Sequence, residues 1–157
     1  MSSTATLPRT ASVGIDPRGP QFAAGITSVV LLAILLLPTT AAVVVTAVQA
    51  VLFAVGATRG VRRTPYSWLF RTAVQPRLGR PQELEDPAPP RFAQAVGFVF
   101  TAVALAAFLV SAGTTNQAAH TLGLVAIGFA LIAALLNAVF RFCLGCELYL
   151  IIKRFTH

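Results

Sequence analysis

QFAAGITSVVLLAILLLPTTAAVVVTAVQAVLFAVGA, residues 21–57, decides the fold. Two apolar runs, about 21–37 and 41–57, flank Pro38-Thr39-Thr40, and neither contains an Asp, Glu, Lys, Arg or His. A helix needs about 20 apolar residues to cross the hydrocarbon core of a bilayer. A three-residue turn between two such runs forces an antiparallel hairpin. Working outward, residues 92–112 and residues 121–140 or longer repeat the pattern. The reading is therefore an all-α membrane protein of four transmembrane helices, arranged as two helical hairpins. It forms one domain over residues 15–157, preceded by a Ser/Thr-rich tail, residues 1–14, without apolar periodicity and expected to be disordered.

Composition agrees. Of 157 residues, 56% are apolar and only 11% charged, and the mean hydropathy is +0.77, which is wrong for a soluble domain. The net charge of +7 raises nucleic acid as a partner. The basic residues, however, sit between apolar runs and not in a groove-like block with interleaved aromatics, so no nucleic-acid partner is expected. Anionic lipid head groups are the expected counter-charge. A cleaved signal peptide is the rival reading of the first run. That run is long for a signal core, Asp16 precedes it, a second span follows at once, and Thr40-Ala41-Ala42 is a poor cleavage site.

The arginines set the orientation. Arg9 and Arg18 precede the first span, and Arg141, Lys153 and Arg154 close the fourth. The loop of residues 58–91 holds Arg59, Arg62, Arg63, Arg71, Arg77, Arg80 and Arg91. The two opposite connections contain no charged residue. The positive-inside rule then expects both termini and the middle loop in the cytoplasm, in a bacterial inner (plasma) membrane protein. Arg59, Arg62, Arg63, Arg71, Arg77 and Arg80 are the expected lipid-facing basic set.

Within that loop Thr64 suits a helix N-cap and Pro65 the first helical position. Tyr66, Leu69, Phe70, Ala73 and Val74 form one apolar stripe, and Pro76 is expected to end the run. With Trp68 beside it, this reads as a short interfacial helix, or as one that packs beneath the bundle. Residues 81–90, PQELEDPAPP, read as a stiff acidic linker able to neutralise nearby arginines.

The spans carry packing signals. Ala126, Ala130, Ala134 and Ala138, and likewise Thr46, Ala50, Ala54 and Thr58, recur every fourth residue and suit close helix approach in lipid. Ordinary packing is the preferred reading over a ligand groove. Gln49, Gln94 and Asn137 are the strongly polar side chains within the spans, each expected to be satisfied by an interhelical hydrogen bond. The spans hold no ionisable residue at mid-membrane depth, which argues against proton coupling or an ion path.

Chemistry is concentrated in Cys143-Leu144-Gly145-Cys146, the only two cysteines. On an uninterrupted helix such a pair has Cβ atoms about 5–6 Å apart, whereas a disulfide needs about 3.5–4.5 Å. A bond therefore requires the helix to bend or restart, which Gly145 eases by tolerating unusual backbone angles. If a new helix starts near Arg141 or Phe142, Cys143 lies at its N-terminus, where the dipole and Arg141 favour the thiolate. Glu147 would act as a proton acceptor or oppose the thiolate. Facing a reducing compartment, the pair reads as redox-active or sulfur-carrying, against the alternative of two small apolar residues in a helix interface. His120 lies at the outer end and His157 is the last residue, so neither partners a cysteine. No metal or cofactor is expected. Zinc or an iron–sulfur cluster would need two protomers, a homodimer pooling four cysteines.

Four stretches carry a family resemblance: Asp16-Pro17-Arg18-Gly19-Pro20-Gln21-Phe22 at the first span, Pro65-Tyr66 with Leu69-Phe70-Arg71, Glu83 to Gln94 at the third span, and Phe142 to Tyr149. Together they resemble the domain-of-unknown-function 4395 family of small bacterial membrane proteins, common in actinobacteria. What the resemblance implies is a genomic setting near thioredoxin-like and sulfurtransferase-type proteins, with no established activity to carry over. The architecture is also broadly similar to quinone-linked thiol oxidases of the DsbB and vitamin K epoxide reductase families. It departs from them in lacking a second cysteine pair and in facing the cytoplasm, which speaks against a quinone-reducing disulfide generator.

The expected function is a membrane component whose Cys143 attacks and Cys146 resolves, exchanging electrons or sulfur with a soluble thioredoxin-like or sulfurtransferase partner. Whether it is itself an enzyme stays open. The alternatives are a non-enzymatic membrane scaffold or docking subunit acting through the basic loop, and a small-solute transporter.

Overall fold

Leu37 precedes a proline, which disfavours helical backbone, and it is extended at φ −83°, ψ 150°. The chain turns there between α1 (Arg18–Leu36) and α2 (Thr39–Arg59). In the computed structural model, which describes residues 14–156, these are followed by α3 (Pro65–Leu69), a π-helical turn (Phe70–Val74) and α4 (Gln75–Leu78). Next come α5 (Ala88–Thr114), α6 (Gln117–Phe140) and α7 (Leu144–Phe155). The tail expected over residues 1–14 lies, apart from Gly14, outside the described residues. Helices α1, α2, α5 and α6 are the four long and apolar enough to cross a membrane, and no strand is found among the described residues. The chain is an all-helical multi-pass membrane protein.

α1 packs along α6, α2 along α5, and α5 along α6, whereas α1 and α2 touch only lightly despite their short turn. A buried hydrophobic cluster lies toward the end opposite the arginine-rich loop. Leu31 and Ile34 of α1, Ala42 of α2, Ala104 and Phe108 of α5, and Ile127 of α6 belong to it. Val29, Val51, Leu109 and Ile132 point outward, as side chains facing lipid do. Close van der Waals fit holds such a bundle together, because lipid tails are as apolar as leucine. The small-residue stripes serve this fit at Ala126, Ala130, Thr46 and Ala50, which are buried; Thr58 is exposed.

The middle loop folds back under the bundle. The Thr64 side chain accepts from the Ser67 amide at 3.3 Å, the expected N-cap. Phe70 is buried against Phe22, ring centroids 5.7 Å apart, while Trp68 stays exposed. Pro76 does not end the helical run, contrary to the sequence expectation. The Gln75 amide donates to the Phe70 carbonyl, five residues back, so the ladder has already slipped by one residue. Pro76 then falls in the first turn of α4, where no donor is required.

The acidic segment is not a free linker either. Glu85 and Ile15 exchange two backbone hydrogen bonds of 2.9 Å. Arg18 pairs with Asp16 at 2.9 Å and donates to the Leu78 and Gly79 carbonyls at 3.2 and 3.0 Å. The Arg18 side-chain hydrogen bonds hold the Asp16 carboxyl below the usual carboxylate range. This is the ion pair found among the described residues; Glu83, Glu85 and Asp86 neutralise none of the arginines there.

Candidate functional site

Asn137 and Leu136 near the end of α6 receive the amides of Arg141 (3.1 Å) and Phe142 (3.2 Å). This is an αL closure, the Arg141 amide reaching back four residues and the Phe142 amide six, in which Arg141, at φ +57°, takes the left-handed position that glycine usually fills. The last apolar stretch is therefore broken after Phe140, and α7 is a separate helix. Cys143 becomes its N-cap, and its Sγ accepts from the Cys146 amide at 3.2 Å. The restart brings the two Cα atoms to 5.1 Å, and a Cys143–Cys146 disulfide closes across them.

Gly145 does not contribute by unusual backbone angles, since the left-handed residue is Arg141. It contributes by having no side chain. A Cβ there would lie 2.6 Å from the Ala93 Cα, so only glycine lets α7 press onto α5. Further along, Tyr149 meets Phe92 at 5.8 Å between centroids, and Lys153 lies 6.0 Å from the Tyr149 ring. The sequence offered α7 only conditionally, as a restart near Arg141 or Phe142, and the helix begins at Leu144 with Cys143 as its cap. Its signal was there: Leu144, Leu148, Ile151 and Phe155 recur at helical spacing and stay exposed, while Glu147, Lys153 and Arg154 occupy other faces.

Beside the disulfide lies a cavity of about 750 Å³, lined by α1, α5, α6 and the start of α7, with Phe53 from α2. It forms where α1 and α2 diverge at the arginine-rich end, and it extends to Thr27, Phe100 and Ala130 near the midpoints of their helices. Arg18, Glu85, Asp86, Arg141 and Glu147 contribute at the end where the helices meet the loop. Deeper in, the polar groups are neutral. Gln94 crosses over Gly56, where a Cβ would stand 2.6 Å from its Oε1. Neither Gln94 nor Asn137 makes a side-chain hydrogen bond among the described residues, contrary to the interhelical bonds expected of them. Gln21, by contrast, donates to the Ala138 carbonyl at 2.9 Å. Ala134, expected as packing, does pack against the buried cluster and, like Ala130, also borders this cavity.

The third amide, Gln49, is buried in α2, and its Oε1 accepts from the Tyr66 hydroxyl at 2.9 Å. Its Nε2 and the neighbouring Thr46 hydroxyl have no partner among the described residues. Burial raises the Tyr66 phenol above its usual range, keeping it a donor.

The site residues named from sequence thus divide. Cys143, Cys146, Arg141 and Glu147 all border one cavity, but Arg141 and Glu147 form no ion pair with each other among the described residues. Arg59, Arg62, Arg63, Arg71, Arg77 and Arg80 are exposed along the loop, and Arg77 also donates to the Ala73 carbonyl at 3.0 Å. Arg91 caps α2 through the Ala57 and Thr58 carbonyls at 3.2 and 2.9 Å. Among the described residues no three His, Cys, Asp or Glu side chains converge as metal ligands would.

Comparison with curated proteins and with solved structures found no significant match. Residues 15–154 match the family described as Domain of unknown function (DUF4395), which covers the bundle, the loop and the cysteine pair, so the chain belongs to that family.

Proposed function

We propose that this protein is a thiol-exchange component of a bacterial plasma membrane, with both termini in the cytoplasm and Cys143 and Cys146 as its reacting pair. The observation that carries the reading is the position of Cys143 as N-cap of α7, where its sulfur receives an amide hydrogen bond. Once reduced, a thiolate there meets the positive end of the helix dipole and that same donor, both of which favour the nucleophile.

The exchange runs through a mixed disulfide. The Cys143 thiolate attacks a disulfide of a soluble thioredoxin-like partner and displaces one partner thiolate. Cys146, deprotonated, then attacks Cys143, releasing the second partner thiolate and closing the Cys143–Cys146 bond. Two electrons pass to the partner; the reverse sequence reduces the pair. With a sulfurtransferase partner the same Cys143 thiolate would attack the outer sulfur of the partner's persulfide, breaking that S–S bond, forming a Cys143 persulfide and releasing the partner's thiolate.

Replacing Cys146 with serine should trap the partner on Cys143, whereas Cys143→Ser should not. Thiol labelling of intact and opened cells reports the side and redox state. Failure of both variants to capture a partner, with labelling unchanged by reductant, sinks the reading. The exposed Arg59, Arg62 and Arg63 favour a second one, a docking subunit held by anionic lipid or an acidic partner. In that case charge reversal along the loop abolishes function while a Cys143/Cys146 double replacement does not.

A further inference from the structure

We propose that the cavity beside Cys143 and Cys146 binds a membrane-soluble quinone, which exchanges two electrons with the cysteine pair. The proposal rests on the thiol-exchange reading and names its second redox partner. A single pair facing one soluble protein only passes electrons back and forth, so turnover needs another two-electron couple.

The cavity has the chemistry of a quinone site. At about 750 Å³ it falls within the range of small-molecule sites. The rings of Phe53, Phe100 and Phe129 and the small side chain of Ala134 offer flat apolar wall. Phe129 is 58% exposed among the outward-facing side chains of α6, so the cavity reaches the outer surface of the bundle within the apolar belt. A ligand dissolved in the bilayer can enter there.

Gln94 and Asn137, both half-buried, line the interior without a hydrogen-bond partner among the described residues, which leaves their carboxamides available to a ligand. Their N–H groups suit carbonyl oxygens. The interior residues Thr27, Gln94, Asn137 and the three phenylalanines carry no charge, which suits a neutral ligand over an anionic lipid head group. Both cysteines belong to the wall, so one pair can meet the ligand and remain half-exposed toward a soluble protein. A second, shuttling pair is then unnecessary, and its absence no longer speaks against quinone chemistry.

The step balances. The Cys143 and Cys146 thiols each give up a proton and together two electrons, and one S–S bond forms. The quinone's two carbonyl oxygens take the two electrons and two protons, giving the quinol. In the reverse direction a quinol reduces the disulfide.

The probe is decylubiquinone, whose fully substituted ring takes no thiol adduct, added to reduced full-length protein in lipid nanodiscs. One equivalent should become quinol, with loss of both thiols. Asn137→Leu and Gln94→Leu should each slow this about tenfold, the loss of one hydrogen bond in an apolar site. Ala134→Phe should slow it at least as much, by narrowing the cavity at its wall. Equilibrium dialysis on the Cys143→Ser/Cys146→Ser protein should retain quinone binding, and adding Ala134→Phe should weaken it. Equal rates in all three cavity variants would mean reaction at the surface and overturn the proposal, as would a cavity that takes up only phospholipid. If the protein forms its mixed disulfide with a soluble partner yet leaves decylubiquinone oxidised, the quinone proposal falls and thiol exchange stands. If neither occurs, both fall.

Discussion

Gly145 and Ala93 are in backbone contact: a methyl group on the glycine would stand 2.7 Å from the alanine Cβ and 2.6 Å from its Cα. The obstruction includes backbone, so no flexible side chain can swing aside. Gly145→Ala should therefore move the start of α7 off α5 and destabilise the protein by about 1–3 kcal/mol, as overpacking does. Thermal unfolding in detergent measures this. The same variant should alter how readily Cys143 and Cys146 oxidise, read by thiol titration in a redox buffer series.

Tyr66 and Gln49 make a second prediction. Removing the phenol oxygen with Tyr66→Phe leaves the buried Gln49 Oε1 without its donor, which should cost about 1–3 kcal/mol. Because Gln49 Nε2 has no partner among the described residues, Gln49→Leu in the Tyr66→Phe background should recover most of that loss. A double-mutant cycle on detergent-solubilised protein gives the coupling. A Tyr66→Phe/Gln49→Leu protein no more stable than Tyr66→Phe alone would show that the hydrogen bond is not what Tyr66 contributes.

Arg141 allows backbone and charge to be separated. A non-glycine residue in the left-handed region carries strain of about 1–3 kcal/mol, so Arg141→Gly should keep the break and hold or raise thermal stability. Arg141→Val, β-branched at φ +57°, should lower it. If Arg141→Gly preserves stability but changes the rate of thiol exchange, the guanidinium acts on the chemistry and not on the fold.

How far the sequence reaches depends on the kind of signal. The four spans follow from long apolar runs and short polar turns, but which helices pack together was decided by tertiary context: α1 lies along α6 and touches α2 only lightly. The break at Arg141 is different. Arginine is not a residue that announces a left-handed cap, and apolar residues resume at Phe142 directly after it, so hydropathy alone cannot place the restart. Pro76 misleads for a related reason: the π-turn before it shifts the hydrogen-bond ladder, a tertiary adjustment that lets Phe70 reach Phe22. The cysteine pair was found by its spacing. The cavity it borders was not, because small residues that pack and small residues that leave space look alike in sequence.

Acid gives a fourth prediction through Asp16. Its carboxyl is held below the usual range by the Arg18 hydrogen bonds, so its contribution is complete above the unfolded value of about 3.9 and is lost as pH falls through the lower folded value. Hydrogen exchange at the Ile15 and Glu85 amides should be insensitive to this group between pH 5 and 8, once corrected for intrinsic rates, and rise in stronger acid. Asp16→Asn should show the raised exchange already at neutral pH.

The backbone pairing of Ile15 with Glu85 has a consequence for how the molecule comes apart. It closes a ring of chain that contains the whole first hairpin and the loop, and ties that ring to the approach to α5. Two hairpins joined only by a loose tether would open independently, each with its own transition. With the ring closed, the first hairpin cannot drift away until the pairing is released, and the entropy gained by partial opening is correspondingly small. Unfolding is thereby made more nearly all-or-none, by two hydrogen bonds that lie outside the membrane-spanning helices.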